Sequence, residues 1–315
     1  MKAELYATVG ADLGEGPQLF PDGTLRWVDL LRGNIYRVDH EATRLLGSLP
    51  YEVSRVLPWK RGELALTRMG VERLNDTAQT RLSIPLTSPH GNTRCSDGTV
   101  LPDGSLALGI VDRELRPGMG SLITIGHDCS VKKIVNECAI PNGIATLASG
   151  HAVAWTDSPT QTLTLLDWSE SAGLSSPRPW VTISDSWGVP DGLVADSSGG
   201  VWVALWGGGV VIHVSQEGVI DNTIDVGTPY TTAVAFDAQD NLLITTGSIV
   251  FREQGLPVPP GAGDVWIVPA SDHGTRGLPP VTALLSFLDE EVVASESSIP
   301  SRISNSYSEP REDDS

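Results

Sequence analysis

The sequence predicts an all-β fold, and two observations support this. Apolar stretches of four to seven residues, rich in β-branched residues or tryptophan, alternate along the chain with turn dipeptides, which is typical of strands joined by hairpins. No window keeps apolar residues at helical spacing for three turns without a glycine or proline interrupting it, so amphipathic helices are not expected. The 33 glycines and 22 prolines are dispersed as turns instead of being gathered into a linker.

A unit made of a turn and a strand with a tryptophan or a leucine pair recurs along the chain. It appears near residues 22, 62, 103, 149, 198 and 240, and the clearest strands cover residues 24–29, 105–109, 201–205 and 241–245. The spacing of roughly 40 to 50 residues is the length of one four-stranded propeller blade. Six such units over residues 9–288 predict a six-bladed β-propeller. The same weak repetition also fits a β-sandwich or two stacked β-domains.

Composition divides the chain into two parts. The 315 residues would allow two domains by length, but the dispersed turns favour one propeller domain over residues 1–288. Residues 289–315 carry eight acidic and two basic side chains, many serines and few large apolar ones. Such a segment cannot bury enough apolar surface to fold, so we predict a disordered acidic C-terminal tail, solvated and without function.

The charge balance excludes several classes of partner. With 39 acidic and 21 basic residues the formal net charge is −18, which would repel the phosphate backbone of nucleic acid and anionic membranes. No apolar run approaches the roughly 20 residues of a membrane span, and the first 15 residues lack a secretory signal, so we expect a cytoplasmic protein. Cys95, Cys129 and Cys138 are an odd number without CxxC spacing, which predicts reduced, mostly buried thiols.

Candidate site residues lie beside glycine at turn positions, where loops present side chains. The three with the clearest chemistry are Glu15, Asn142 and Asp191, each followed directly by glycine. Asn-Gly and Asp-Gly are also common hairpin turns, so each motif alone is weak. Neither a Gly-x-Ser-x-Gly nucleophile motif nor HExxH spacing among the six histidines is present, so a covalent serine nucleophile and a zinc-protease site are not expected.

Taken together, the motifs resemble the gluconolactonase, regucalcin and senescence-marker-protein family. The matching segments appear in the family's order and are Gly14-Glu15-Gly16-Pro17, Trp27-Val28-Asp29, Arg94 with Asp97-Gly98, Pro141-Asn142-Gly143, Thr156-Asp157-Ser158, Pro190-Asp191-Gly192 and the run from Val201 to Gly209. The resemblance covers about residues 9–250. It implies a six-bladed propeller with one divalent cation in the axial pocket, and its members include calcium- or zinc-dependent lactonases.

Carried over residue by residue, the resemblance assigns roles. Glu15, Asn142 and Asp191 match the family's metal ligands, and Asp191 is also the candidate base. Arg94 and Glu114 match substrate-contacting residues. Carboxylate and amide oxygens are hard donors that suit Ca²⁺, Mg²⁺ or Mn²⁺, and without histidine or cysteine ligands Zn²⁺ is a poorer match, so calcium is the first choice.

One position departs from the family's pattern. Ser96 stands where the family usually has asparagine in the substrate-binding run after Arg94. A hydroxyl reaches less far than an amide and lacks a separate donor and acceptor atom, so the pocket near Arg94 is expected to differ. Of the nine tryptophans, most are expected in the core, whereas Trp187 and Trp206, near the Asp191 turn, are candidates to line the pocket.

These residues predict a metal-dependent hydrolase that opens a sugar lactone or related small cyclic ester. The metal would polarise the ring carbonyl and activate water, with Asp191 taking the proton and Arg94 orienting the substrate. The small-molecule lactone or ester is the expected partner. Two other hypotheses stay open: a propeller that binds calcium or a small molecule without chemistry, and a protein-interaction scaffold that binds no cation.

Overall fold

The computed structural model describes residues 1–39, 42–75, 80–86 and 92–286, and the strands in these ranges form six antiparallel sheets. The first two sheets are β2 (Gly14–Leu19), β3 (Leu25–Asp29), β4 (Asn34–Val38) and β5 (Thr43–Ser48), then β6 (Val53–Trp59), β7 (Gly62–Thr67), β8 (Gly70–Leu74) and β9 (Thr80–Pro85). The next two are β10 (Thr93–Val100), β11 (Leu106–Asp112), β12 (Gly120–Ile125) and β13 (Val131–Cys138), then β14 (Pro141–Thr146), β15 (Ala152–Asp157) and β16 (Thr162–Ser169) with β17 (Gly173–Leu174) and β18 (Arg178–Thr182). The last two are β19 (Val189–Ala195), β20 (Val201–Trp206), β21 (Val210–Val214) and β22 (Ile220–Asp225), then β23 (Thr231–Phe236), β24 (Leu242–Thr246), β25 (Val265–Val268) and β1 (Glu4–Ala7).

The sheets are the blades of a six-bladed β-propeller. The first strand of each blade lies innermost, and the six innermost strands, β2, β6, β10, β14, β19 and β23, contact one another in a closed ring. The N-terminal strand β1 completes the sixth blade by pairing with β25, where Leu5 lies opposite Trp266. The N-terminal strand thereby lies in one sheet with the last three strands of the described chain, which fastens the ring between the first and last blades.

The predicted repeat corresponds to one feature of every blade. Each of the six predicted turns connects an innermost strand to the second strand of its blade, and the four clearest predicted strands are β3, β11, β20 and β24. The prediction of a six-bladed propeller is therefore confirmed. Besides two single-turn 3₁₀ helices, two short α-helices are the exceptions to the all-β prediction in the described ranges, α1 (Ile249–Glu253) and α2 (Ala270–His273). Neither has the length and apolar character needed to cross a membrane.

The hydrophobic core is divided among the blade interfaces. Six apolar clusters are found among the described residues, one between each pair of neighbouring blades. Trp27, Trp155 and Trp202 are buried in these clusters, and Trp266 packs against one of them, as predicted. Burial of both faces of every blade explains why its inner strands are apolar along most of their length instead of alternating.

The three cysteines lie in the described part of the chain and none forms a disulfide. Cys95 and Cys138 are buried and Cys129 is partly buried. Burial raises the pKa of both the Cys95 and the Cys138 thiol to about 12, so both remain protonated and unreactive near neutral pH. The prediction that the thiols are mostly buried is confirmed. The tail predicted to be disordered, residues 289–315, lies outside the described residues.

A histidine held between two carboxylates links the strands of the fifth blade. His213 Nε2 lies 2.7 Å from Asp196 Oδ2, and its Nδ1 lies 2.6 Å from Asp221 Oδ1. Burial lowers the pKa of His213, but the hydrogen bonds to Asp196 and Asp221 outweigh it, so the pKa is raised above the usual value. Trp202 packs on the ring, with 4.8 Å between centroids.

We expect His213→Gln to destabilise the protein more at pH 6 than at pH 9. A raised pKa means that the folded state binds the His213 proton more tightly than the unfolded state does. The protonated histidine therefore contributes fully to the free energy of unfolding below the unfolded-state pKa, and this contribution is lost as pH rises through the folded-state pKa. The cost at pH 6 should be about 2 kcal/mol, as for hydrogen bonds to charged groups. Urea unfolding of both proteins across this pH range measures it. His151→Gln, an exposed histidine, is the control, and a pH-independent difference would contradict the prediction.

Candidate active site

The three predicted metal ligands meet at one end of the propeller axis. Glu15, Asn142 and Asp191 are each the second or third residue of an innermost strand, on β2, β14 and β19. Asn142 Nδ2 donates a hydrogen bond to Asp191 Oδ1 at 2.8 Å, and the charge of Glu15 acts on Asp191. We call the end where the innermost strands begin the upper end. Residues far apart in sequence converge there because every blade starts at the axis.

Each innermost strand has a β-bulge at its upper end. A bulge adds one residue to one strand of a pair and changes the direction of the neighbouring side chains, so it breaks the simple in–out alternation next to the site. The glycines after the ligands are required by this geometry. Gly143 has φ +31°, and a Cβ there would lie 2.4 Å from the carbonyl oxygen of Asp191. A Cβ on Gly192 would lie 2.4 Å from the Cβ of Ala233.

The electrostatics of the site are those of crowded carboxylates. Burial and then the charge of Asp97 raise the pKa of Glu15, against the lowering effects of the Gly16 N–H and of Arg94 and Arg55. Burial, then Glu15, then Asp97 raise the pKa of Asp191 well above its usual value. Like charges in a poorly solvated pocket oppose one another's ionisation. A bound cation would remove this repulsion.

The donor set fits a divalent cation. In the described part of the chain neither Glu15 nor Asp191 has an ion-pair partner within 4 Å. Asn142 Nδ2 also donates to Ser158 Oγ at 3.1 Å, which leaves the amide oxygen available. The described residues contain no group of three or more histidine, cysteine, aspartate or glutamate side chains that could hold a metal. A cation here would therefore depend on two carboxylates and an amide, all oxygen donors of the type that Ca²⁺ prefers.

Arg94 lies in the same group, as the second residue of β10. Its Nη1 donates to the carbonyl of Cys95 at 2.9 Å. Burial lowers the pKa of the Arg94 guanidinium, while the charges of Glu15, Glu52 and Asp191 act in the opposite direction. Arg94 is thus close enough to both carboxylates to contribute one positive charge to the pocket, with guanidinium N–H groups that can bind an oxygen-rich ligand.

Ser96 is buried and its hydroxyl donates to the carbonyl of Pro141. Pro141 directly precedes Asn142, so this hydrogen bond ties the third blade to the fourth beside a predicted metal ligand. A Cβ on Gly109 would lie 2.3 Å from the Ser96 hydroxyl, which shows how closely this position is enclosed. Because its one proton is used in this bond, Ser96 can offer a ligand only the lone pairs of its oxygen.

Glu114 lies at the rim of the upper end, on the loop after β11. Its side chain is 62% exposed, with a carboxylate oxygen 3.6 Å from Arg116. Asn92, one residue before β10, donates to it at 3.2 Å. The structure therefore brings Glu15, Arg94, Asn142 and Asp191 together and leaves the exposed Glu114 outside that group. A contact between Glu114 and a substrate stays a prediction.

Two aspartates with a positioning role were noted in the sequence only as parts of motifs. Asp29, at the end of β3, accepts hydrogen bonds from the N–H groups of Asp12 and Leu13 at 3.0 and 3.3 Å. Asp157, at the end of β15, accepts from Ala139 and Ile140 at 3.0 and 2.7 Å. Each carboxylate fixes the segment that leads into a predicted ligand. A repeated sequence pattern could have identified these two positioning residues, because an aspartate ends the second strand of the first, third and fourth blades.

An aromatic group borders the site between the fifth and sixth blades. Trp206 lies 4.7 Å from Tyr230 between ring centroids, and Tyr230 lies 5.2 Å from Phe251 of α1. A Cβ on Gly247 would lie 3.1 Å from Leu13 and 3.2 Å from Trp206, so Trp206 lies close to the segment that precedes Glu15. The predicted pocket residue Trp187 is 39% exposed, on the turn just before β19.

Comparison with known proteins agrees with the fold and identifies the family. The sequence model described as SMP-30/Gluconolactonase/LRE-like region matches residues 13–248. The chain is 30% identical over 243 residues to the pentonolactonase XacC of Haloferax volcanii, covering 74% of this chain and 81% of that protein. It is 26% identical over 292 residues to the L-arabinolactonase of Azospirillum brasilense, covering 87% and 93%.

A solved structure, the calcium-binding protein regucalcin from Agrobacterium tumefaciens, superposes with a TM-score of 0.78 at 24% identity, covering 87% of this chain and 94% of that one. At this identity the likeness shows the fold alone, and it confirms the six-bladed propeller. The sequence match spans all six innermost strands completely and contains all of the converging residues. The chain belongs to the SMP-30/gluconolactonase/LRE-like family.

Proposed function

We propose that the protein is a divalent-cation-dependent lactonase that opens a sugar lactone or a related small cyclic ester. The observation that carries the proposal is the convergence of Glu15, Asn142 and Asp191 with Arg94 at the upper end of the axis. The named activities of two relatives, a pentonolactonase and an L-arabinolactonase, support the substrate class. Calcium is the first choice of cation, and Mn²⁺, Mg²⁺ and Zn²⁺ are the alternatives.

Glu15, Asn142 and Asp191 would hold the cation through their oxygen atoms. The chemistry supplied by such a cation is polarisation of the ester carbonyl and acidification of the attacking water. Asp191 accepts a proton from that water as the water oxygen bonds to the carbonyl carbon. The ring C–O bond then breaks, and the proton passes to the departing ring oxygen, so that lactone and water yield the open hydroxy acid.

Arg94 and the aromatic group would bind the substrate. The guanidinium of Arg94 can donate to sugar hydroxyls or to the oxygen on which negative charge develops. Trp206 and Tyr230 present apolar ring surface on the side of the fifth and sixth blades, against which the less polar face of a sugar ring can pack. Ser96 and Glu114 remain proposed substrate contacts.

Removal of divalent cations should abolish the activity. Protein treated with EDTA and desalted is expected to hydrolyse a panel of sugar γ- and δ-lactones at least about 100-fold more slowly than protein reloaded with Ca²⁺, Mn²⁺, Mg²⁺ or Zn²⁺, since the cation provides carbonyl polarisation and water activation together. Acid release in a pH-stat, corrected for spontaneous hydrolysis, measures the rate. Equal rates with and without cation would refute the proposal.

A second candidate is a propeller that binds calcium or a small molecule without chemistry. One observation favours it: the Ser96 hydroxyl is used to hold the carbonyl of Pro141, so the pocket lacks the amide that the family's substrate-binding run usually supplies. Cation binding by calorimetry without hydrolysis of any lactone in the same panel would support this candidate over the lactonase.

A further inference from the structure

A buried ion pair lies next to the candidate active site and is not used in the chemistry proposed above. Arg55, on β6, places Nη1 2.5 Å from Asp97 Oδ1, on β10. The same guanidinium donates to the carbonyls of Gly98 at 2.9 Å and Pro17 at 3.0 Å. Arg55 and Asp97 are only 5% and 7% exposed. The pair therefore connects the innermost strands of the first three blades below the upper end of the axis.

Asp97 is a third carboxylate on the ring of innermost strands. It directly follows Ser96, whose hydroxyl donates to the carbonyl of Pro141 beside Asn142, and its charge acts on both Glu15 and Asp191. Its Oδ1 is held by Arg55 and by the N–H of Gly98 at 2.7 Å. Without Arg55, the pocket would contain three carboxylates against the single positive charge of Arg94. With Arg55, the charge of Asp97 is compensated at hydrogen-bond distance.

We propose that Arg55 is a positioning residue that compensates Asp97, so that a cation in the site is held by the charges of two carboxylates rather than three. The inference rests on the proposed function. A third uncompensated carboxylate would bind the cation more tightly and would weaken its electron-withdrawing effect on a substrate carbonyl, because each anionic neighbour offsets part of the cation's charge. The pair thereby sets the cation affinity of the site.

The position of Arg55 also determines which substitution is informative. A cavity of about 290 Å³ opens at the opposite, lower end of the axis, lined by the ends of the innermost strands and by residues 278–281, and Arg55 forms part of its wall. The Arg55 side chain thus contacts Asp97 on β10 and also borders this cavity. Methionine keeps most of the length and apolar volume of arginine but carries no charge, so Arg55→Met removes the charge while leaving the space largely filled.

The test is a double-variant cycle on cation affinity. Arg55→Met, Asp97→Asn and the double variant are titrated calorimetrically with Ca²⁺ and Mn²⁺ at pH 8.5, after EDTA treatment. Arg55→Met is expected to tighten the Kd by about tenfold, Asp97→Asn to weaken it by about tenfold, and the double variant to lie near the unaltered protein, as expected when one unit charge acts on a divalent cation through a partly solvated pocket.

A second, partly buried arginine–carboxylate pair provides the control. Arg26, on β3, and Glu63, on β7, join the first two blades, with Arg26 Nη2 2.6 Å from Glu63 Oε1. Arg26 lies opposite Gln18, toward the lower end. Arg26→Met and Glu63→Gln should leave the Kd within about twofold while lowering the melting temperature, as for any broken buried pair.

The outcomes separate the inference from the proposed function. Opposite changes in Kd for the two single variants, cancelling in the double variant, support the inference, because a purely structural pair would weaken binding in both. Two equal losses of affinity, or two Kd values within twofold of the unaltered protein, overturn it. Absence of cation binding by the unaltered protein overturns both, whereas normal binding there with unchanged variants overturns this inference alone.

Discussion

Asp191→Asn is expected to lower kcat/KM for lactone hydrolysis by about 10³-fold, within the range for loss of a general base. The substitution removes the proton acceptor and one negative charge from the cation site but keeps the shape of the side chain. The hydrogen bond from Asn142 Nδ2 can persist to the new amide oxygen. Steady-state kinetics with saturating Ca²⁺ measures the loss, and circular dichroism with thermal unfolding confirms that the propeller is intact.

The control for this experiment is Asp185→Asn. Asp185 is exposed and lies on the short turn that precedes β19. Its replacement by asparagine therefore removes one acidic charge from the same part of the fifth blade without changing the group of converging site residues. It should leave kcat/KM within about twofold, as expected of a surface substitution. If Asp191→Asn retained more than a tenth of the activity of the unaltered protein, Asp191 would not be the base.

Glu15→Gln is expected to weaken Ca²⁺ binding by about 100-fold, at the upper end of the effects seen when groups around a metal are changed. An amide has only one oxygen and no charge, so it is a much poorer ligand for a hard cation. The metal-free protein should become more stable at the same time, because the half-buried Glu15 carboxylate loses hydration and is repelled by Asp97 and Asp191, and the neutral amide removes both costs. Calorimetry and thermal unfolding without cation measure the two effects.

Glu114→Gln is the comparison for Glu15→Gln. Its exposed carboxylate, 3.6 Å from Arg116, lies outside the group of converging site residues, so the Ca²⁺ affinity should stay within about twofold. A higher KM with an unchanged Kd for Ca²⁺ would support a substrate contact by Glu114. Loss of Ca²⁺ affinity in Glu114→Gln but not in Glu15→Gln would place the cation elsewhere and contradict the assignment of the site.

The blades could be predicted from the sequence because every blade contains the same local pattern, a tight turn followed by a buried second strand. The predicted turns near residues 22, 62, 103, 149, 198 and 240 all connect an innermost strand to its neighbour. Two departures from this pattern were not predicted. The strand β1, before the first predicted unit, completes the sixth blade, and the fourth blade has two short strands, β17 and β18, on the same side of β16. Both depend on pairings that no local pattern specifies.

The site could be predicted in part. Glu15, Asn142 and Asp191 stand out because each precedes a glycine that the close approach of neighbouring innermost strands requires. Arg55 and Asp97 are separated by 42 residues and lie on different blades, so nothing in the sequence indicates that they pair. The hydrogen bond of Ser96 to the carbonyl of Pro141 likewise joins two blades.

The sequence by itself determined the strands, the turns and the residue types available for chemistry, because these follow from local hydrophobic patterning and backbone preferences. It also carried the family resemblance that names Glu15, Arg94, Asn142 and Asp191 as a group. Only the tertiary structure decided which charged side chains pair with one another and which polar side chains are used in hydrogen bonds to the backbone. The physical reason is that burial and charge pairing depend on distances between blades. Those distances are set when the ring of blades closes and cannot be derived from the sequence of one blade.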